Sequence, residues 1–160
     1  MLTIADKMRP MIDILRNLLR ADVAPRSEYP VEVAVAALMI EAARADGVYD
    51  AQEKRAVLQL LQDMFDKSLE QAQALHDQGD EAQHGAPDVV RFTRVIKAAL
   101  DEDERITFIE ALWHIVLVDH ERDPHENALL RNLVPLVAVS DRDSVLARQR
   151  ALAGTGDASA

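Results

Sequence analysis

Carboxylate side chains recur in this sequence at one spacing, D-x3-D-x2-E, which occurs twice along the chain. The residues concerned are Asp46, Asp50, Glu53, Asp119, Asp123 and Glu126. Oxygen ligands of this kind are those that Ca²⁺ and Mg²⁺ prefer in proteins. The spacing therefore predicts a candidate divalent-cation site at each of two turns.

Helix capping explains part of the same pattern without a ligand. The second acidic residue of each copy directly precedes a predicted helix, and the Glu three positions later completes a capping box. The first acidic residue, Asp46 or Asp119, ends the preceding helix, where a carboxylate costs a few tenths to about 1 kcal/mol against the macrodipole. The free N–H groups of the next helix or a bound cation can offset that cost, so both interpretations stay open.

Other side chains support site chemistry less well. His120 and His125 flank the second turn, and imidazole ligands would shift the preference towards Zn²⁺ or Ni²⁺, but we expect them to be surface residues of a turn. Trp113 lies in an apolar helix and we expect it to belong to the core, whereas we expect the adjacent His114 to be a packed or an edge histidine. The sequence contains no phosphate-binding glycine loop, no H-E-x-x-H and no G-x-S-x-G. No catalytic residue is therefore predicted.

The elements that must position these residues are helices. Apolar residues at spacings of three and four predict an all-α fold of about seven or eight helices. The predicted helices cover residues 3–20, 30–45, 51–65, 68–77, 88–100, 101–118, 124–137 and 140–152. The second of them is apolar on nearly all sides, which predicts a central position. Ser68 and Ser140 are predicted helix caps, and the polar stretch 79–87, with two glycines, is predicted to be an exposed loop.

The organisation of the chain follows from these elements. Residues 1–29 are predicted to form an amphipathic helix and a connector, residues 30–152 a compact helical domain, and residues 153–160 a frayed tail. The domain divides into two helix–turn–helix halves, each with one copy of the acidic motif. A pseudo-two-fold axis is the simplest relation between two such copies.

Composition limits the classes of partner. The formal net charge is −10 and there is no cysteine. A nucleic-acid binder needs a basic surface, so nucleic acid is not expected, whereas cations and basic protein surfaces are natural partners. Disulfides and thiolate metal sites are excluded. The sequence shows no secretory signal and no apolar run long enough to span a membrane, which predicts a cytoplasmic protein.

Two stretches of the sequence, ALMIEAARADGVYDAQEKRAVLQLL and EALWHIVLVDHERDPHENALLRNLVPLVAVSDRD, resemble the two halves of TerB-like tellurite-resistance proteins. The family pattern is an apolar helix, Asp-Gly, a short turn, an acidic residue, and a Glu within a new helix. The resemblance covers about residues 30–152, and the LW and SDRD segments are especially similar to a branch of uncharacterised TerB-like proteins. The second copy departs from the pattern, because His120 stands where the family has glycine.

The resemblance implies an all-helical protein of bacterial tellurite and chemical-stress resistance, without an established enzymatic activity. It also implies that acidic, metal-binding sites and protein contacts carry the function. The leading hypothesis is therefore a non-enzymatic module that binds a divalent cation or a protein partner through the two acidic turns. A metal-free helical scaffold is the alternative. A metal-assisted enzyme is a third hypothesis, which requires a deep pocket at the turns.

Overall fold

Seven α-helices form the part of the chain that the structure, a computed structural model, describes. That part is residues 29–45, 49–85, 89–118 and 124–157, without the side chains of 85, 124–127 and 155–157. The helices are α1 (Val31–Arg44), α2 (Ala51–Phe65), α3 (Leu69–Gly85), α4 (Val89–Ala99), α5 (Glu102–Val118), α6 (Pro124–Leu136) and α7 (Asp141–Asp157). The all-α prediction is confirmed, and these residues contain no β-strand. The helix predicted over 3–20 and its connector to residue 28 lie outside the described residues.

Helix α1 lies at the centre of the molecule. It begins after Pro30, whose fixed φ suits a helix start and whose carbonyl oxygen accepts a hydrogen bond from the Ala34 N–H at 3.0 Å. All residues from Val33 to Ile40 are buried, because α1 packs against α2, α3, α4, α5 and α6. The central position predicted from its apolar sequence is confirmed.

The two halves repeat one order of helices. Helices α1, α2 and α3 form the first half, α5, α6 and α7 form the second, and α4 lies between them in sequence. The most extensive contacts within the halves are α1 with α3 and α5 with α7. The halves meet where α1 contacts α5 and α6 and where α2 contacts α5. The contact of α1 with α6 and that of α2 with α5 correspond to each other, as expected for two copies of a three-helix unit.

Helix α3 is longer than the sequence predicted. The loop prediction over 79–87 is wrong for residues 79–85, which continue α3 to Gly85. The reason is Gly79: a Cβ atom placed on it would lie 2.7 Å from Ala36 Cβ and 2.9 Å from the Ala37 backbone nitrogen. This glycine therefore serves a close helix crossing and not a turn.

The short connections carry the caps that the sequence predicted. Ser68 Oγ accepts a hydrogen bond from the Gln71 N–H at 3.2 Å, and Gln71 Oε1 accepts one from the Ser68 N–H at 3.0 Å. Ser140 Oγ accepts from the Asp143 N–H at 3.1 Å and donates to Asp143 Oδ2 at 2.8 Å. Ser68 and Ser140 thus cap α3 and α7, the third helix of each half, through the same Oγ hydrogen bond to the N–H three residues later.

The C-terminal ends of α6 and α7 differ slightly from their predicted positions. Helix α6 ends at Leu136, one residue after Pro135. Ala138 then takes a left-handed φ of 56°, and the Val139 N–H donates to the Val134 carbonyl oxygen at 3.0 Å, as in a Schellman helix end. Helix α7 continues to Asp157, beyond the end predicted near residue 152, because a glycine penalty of about 1 kcal/mol does not by itself end a helix.

Candidate functional site

Asp50 and Glu53 are the two predicted site residues whose side chains the structure describes. Asp50 stands before α2 with extended backbone, and its Oδ1 accepts a hydrogen bond from the Glu53 N–H at 2.8 Å. The predicted capping role of Asp50 is therefore confirmed. Glu53 lies in the first turn of α2 and is only 1% exposed. The sequence motif thus places one surface carboxylate and one buried carboxylate within a single helical turn.

The other four predicted site residues have no described side chains. Asp46, Asp119 and Asp123 lie outside the described residues, and Glu126 belongs to α6 without a described side chain. Within the described ranges, no three or more His, Cys, Asp or Glu side chains are grouped so that they could hold a metal ion. His120 and His125 likewise fall on residues without described side chains.

A hydrogen-bonded pair of rings lies beside the first acidic turn. The Tyr49 hydroxyl is 2.9 Å from His76 Nε2, and His76 Nδ1 is 3.2 Å from Asp77 Oδ1. Because a carboxylate only accepts, Nδ1 carries the proton in the neutral ring and Tyr49 donates to Nε2. Burial raises the pKa of Tyr49, against the opposing charge of Arg44, so the hydroxyl remains a donor. The residue that precedes Asp50 is thereby tied to α3.

Arg44 ties the end of α1 to the same stretch of α3. Its guanidinium donates to Asp80 Oδ1 at 2.6 Å and to Gln83 Oε1 at 3.2 Å, and it lies 5.2 Å from the centre of the Tyr49 ring. Gln83 also donates to Glu41. Partial burial acts to raise the pKa of Asp80, but the hydrogen bond and charge of Arg44 outweigh it and hold that pKa below its usual value.

These contacts fix both sides of the first acidic turn, and the sequence motif did not reveal them. The residues involved on α3 are His76, Asp80 and Gln83, at spacings of four and three, so they share the face that meets α1. That spacing was visible in the sequence. Their partners on the other side, Arg44 and Tyr49, could be identified only from the relative placement of α1 and α3.

The corresponding helix pair in the second half is joined by different chemistry. Glu110 of α5, with a side chain 2% exposed, accepts a charged hydrogen bond from Arg150 Nε of α7 at 2.7 Å. The Trp113 indole N–H donates to Ser144 Oγ at 3.1 Å, and the Arg148 guanidinium lies 5.5 Å from the Trp113 ring centre. Trp113 is buried, as predicted. This half therefore places a charged pair within the contact of its two helices.

His114 follows Trp113 and is half-buried at the edge of the same helix pair. Burial lowers its pKa, and the nearby Glu110 carboxylate opposes that shift. The ring is therefore favoured in its neutral form. This matches the packed position predicted from the sequence and gives no indication of a ligand role.

The helix order and the capped acidic turn define an all-α protein built from two helix–turn–helix halves. The family model of the tellurite resistance protein TerB matches residues 32–149, which is well over half of the chain. The chain therefore belongs to the TerB family. Searches of curated proteins and of solved structures returned no significant match. Among the helices described, none has the length and apolar character needed to cross a membrane.

Proposed function

We propose that this TerB-family chain is a non-enzymatic module in which the acidic turns bind a divalent cation, Ca²⁺ or Mg²⁺. The observation that carries the proposal is the pairing of Asp50 with the buried Glu53 in one helical turn. A turn that concentrates carboxylates in a protein of net charge −10 is a favourable environment for a cation.

The surrounding contacts support a preorganised binding turn. Arg44 and Tyr49 are held against α3 by Asp80 and His76, which restricts the chain on both sides of residues 46–48. Restricting a binding loop in advance lowers the entropy cost of binding. In the proposed site, Asp46, Asp50 and Glu53 supply oxygen ligands at the first turn, and Asp119, Asp123 and Glu126 supply them at the second. Oxygen donors of this type favour hard cations.

The same contacts support binding in preference to catalysis. His76 is buried, so a substrate would not reach its ring from solvent. Tyr49 is held as a protonated donor, and Asp80 is engaged by Arg44. These side chains hold Arg44 and Tyr49 against α3. A basic protein surface is the second candidate for the acidic turns, favoured by the charge of −10.

A titration of the ¹⁵N-labelled protein with CaCl₂ and with MgCl₂ tests the proposal. We expect the amide signals of residues 46–53 and 119–126 to shift saturably, with a rise in melting temperature that follows mass action. The double variant Asp46→Asn/Asp119→Asn should lose the shifts and the rise. Asparagine keeps the size of each side chain and removes its charge, so the fold should be retained.

The matched control is Glu70→Gln/Glu81→Gln, which removes the same number of charges from the exposed outer face of α3. It should bind the ions as the wild type does. If neither turn responds at about millimolar ion, where extracellular-type calcium sites already fill, the cation proposal is wrong. An equal loss in the control would show that only net charge matters.

A further inference from the structure

The outer face of α7 differs in character from the rest of the described surface. Three of the six large apolar side chains that are exposed there belong to α7: Val145, Leu146 and Leu152, at 55%, 39% and 36% exposure. Arg142 lies three and four residues from Val145 and Leu146, and Arg148 lies three and four residues from Val145 and Leu152, which makes these pairs lateral neighbours on the helix. We call these five residues the α7 outer face.

The first half of the molecule supplies an internal reference for this face. Helices α3 and α7 begin at equivalent caps, Ser68 and Ser140. On α3, the positions that match Val145, Leu146 and Leu152 hold Gln73, Ala74 and Asp80. Gln73 and Ala74 are exposed on α3, whereas Asp80 is partly buried and binds Arg44 of α1. Val145 and Leu146 therefore match exposed positions, and the helix packing that the two halves share does not require them to be apolar.

Charge separates α7 from the rest of this acidic chain as well. After Asp143, no acidic residue occurs in α7 before Asp157, whereas Arg142, Arg148 and Arg150 all lie on this helix. Arg150 is neutralised by Glu110, which leaves Arg142 and Arg148 as the cations beside Val145. Arginine is enriched in the cores of protein interfaces relative to the rest of the protein surface.

We propose that the α7 outer face is a docking surface for a helical segment of a partner protein that presents one stripe of apolar side chains flanked by carboxylates. The apolar residues would enter the space over Val145 and Leu146, and the carboxylates would meet Arg142 and Arg148. Arg148 is already positioned over Trp113, so less side-chain entropy is lost when it binds a carboxylate.

A protein segment fits this face better than a lipid surface does. An anionic membrane would meet the field of a chain with net charge −10, and two arginines are fewer than the basic clusters that hold proteins on anionic lipids. A short acidic segment experiences much less of that field, because charges beyond about 8 Å are screened at physiological salt. None of the five residues of the α7 outer face belongs to the acidic motifs of the cation proposal.

Fluorescence anisotropy with a labelled helical peptide of Leu, Glu and Ala, whose Leu residues form one stripe flanked by Glu, tests the proposal. We expect saturable binding, with amide shifts confined to residues 142–152. The variant Val145→Glu/Leu146→Glu should weaken binding at least about tenfold, as loss of interface anchors does. Its matched control, Gln73→Glu/Ala74→Glu, adds the same charge to the equivalent positions of α3 and should bind unchanged.

Several results would overturn the proposal. Absence of peptide binding would do so, as would equal loss in both variants. Equal binding of a peptide with Lys in place of Glu would remove the charge argument. Two further measurements test the other occupants. Sedimentation of the protein with phosphatidylcholine–phosphatidylserine vesicles would identify a membrane surface, and a dimer lost in Val145→Glu/Leu146→Glu would identify a second copy of this chain.

Discussion

Two helix pairs occupy equivalent places in the two halves, α1 with α3 and α5 with α7. The side chains at their contacts differ in kind. Gly79 and Ala36 allow the first pair to approach until a single added Cβ would be 2.7 Å from its neighbour. In the second pair, Glu110 binds Arg150 and Trp113 binds Ser144 across the contact. The first pair keeps its charged network at the end that adjoins the acidic turn.

The two helix pairs therefore maintain one backbone arrangement by two separate physical means. Small residues give the first pair close backbone packing, whose energy is dispersion and burial. Buried polar groups give the second pair specific partners, which are costly when one partner is lost. Three predictions test that contrast, from the largest effect to the smallest.

Arg150→Ala should destabilise the second pair strongly, because it removes the guanidinium that compensates the buried Glu110 carboxylate. Loss of one member of a buried ion pair costs about 3 kcal/mol or somewhat less where, as here, the arginine is partly exposed. Chemical denaturation measures the loss. Arg142→Ala, on the exposed side of the same helix, should stay within about 0.5 kcal/mol of the wild type. Equal effects of the two variants would contradict the assigned role of Glu110–Arg150.

Two glycine-to-alanine changes should have opposite signs. In Gly79→Ala the new Cβ meets the backbone nitrogen of Ala37 at 2.9 Å, so α1 and α3 must separate, at about 1–3 kcal/mol. Gly154 of α7 has nothing within 4 Å of its added Cβ, so Gly154→Ala should gain up to about 1 kcal/mol of helix propensity. Thermal melting of both variants decides it, and stabilisation by Gly79→Ala would exclude the close crossing.

The pH dependence of stability should include a small contribution from the first pair. The pKa of Asp80 is held below its usual value in the folded protein. Its contribution is therefore present above the unfolded pKa, about 4, and is lost as the pH falls through the folded value. For a partly exposed pair we expect about 0.5 kcal/mol. Denaturation of the wild type and Asp80→Asn measures it between neutral and acid pH.

The variant should lose less stability than the wild type when the solution is acidified. Leu152 occupies the position in α7 that matches Asp80, so Leu152→Ala should leave the acid dependence unchanged while it alters the overall stability. An acid dependence that is identical in the wild type and Asp80→Asn would show that Arg44–Asp80 contributes nothing measurable.

Local signals explain which parts of this fold could be predicted from the sequence. Helix α2 was predicted with its observed limits because Asp50 caps it and a regular apolar stripe fills it. The acidic start of α5 was also predicted, and there Asp101 and Glu104 form reciprocal bonds of 2.9 and 2.8 Å. Each of these signals lies within four residues of the structure that it specifies.

The errors and omissions have the opposite origin. Gly79 indicated a loop because its local sequence is polar, and only the distant Ala36 shows why a glycine is required there. The contact of Arg44 with Asp80 joins residues from two helices, and helix periodicity does not determine which polar residues meet. In the candidate site, the motif correctly identified Asp50 as a cap, whereas the contacts that fix the turn depend on tertiary packing.

The burial of the apolar residues of α1 has a consequence for how the molecule unfolds. This helix belongs to the first half, yet its apolar surface also packs on α5 and α6 of the second. Separation of the halves would expose that surface to water, with a large loss of hydrophobic free energy. We therefore expect that neither half folds alone and that the two copies unfold in one cooperative transition, so that a destabilising change in either half lowers the stability of both.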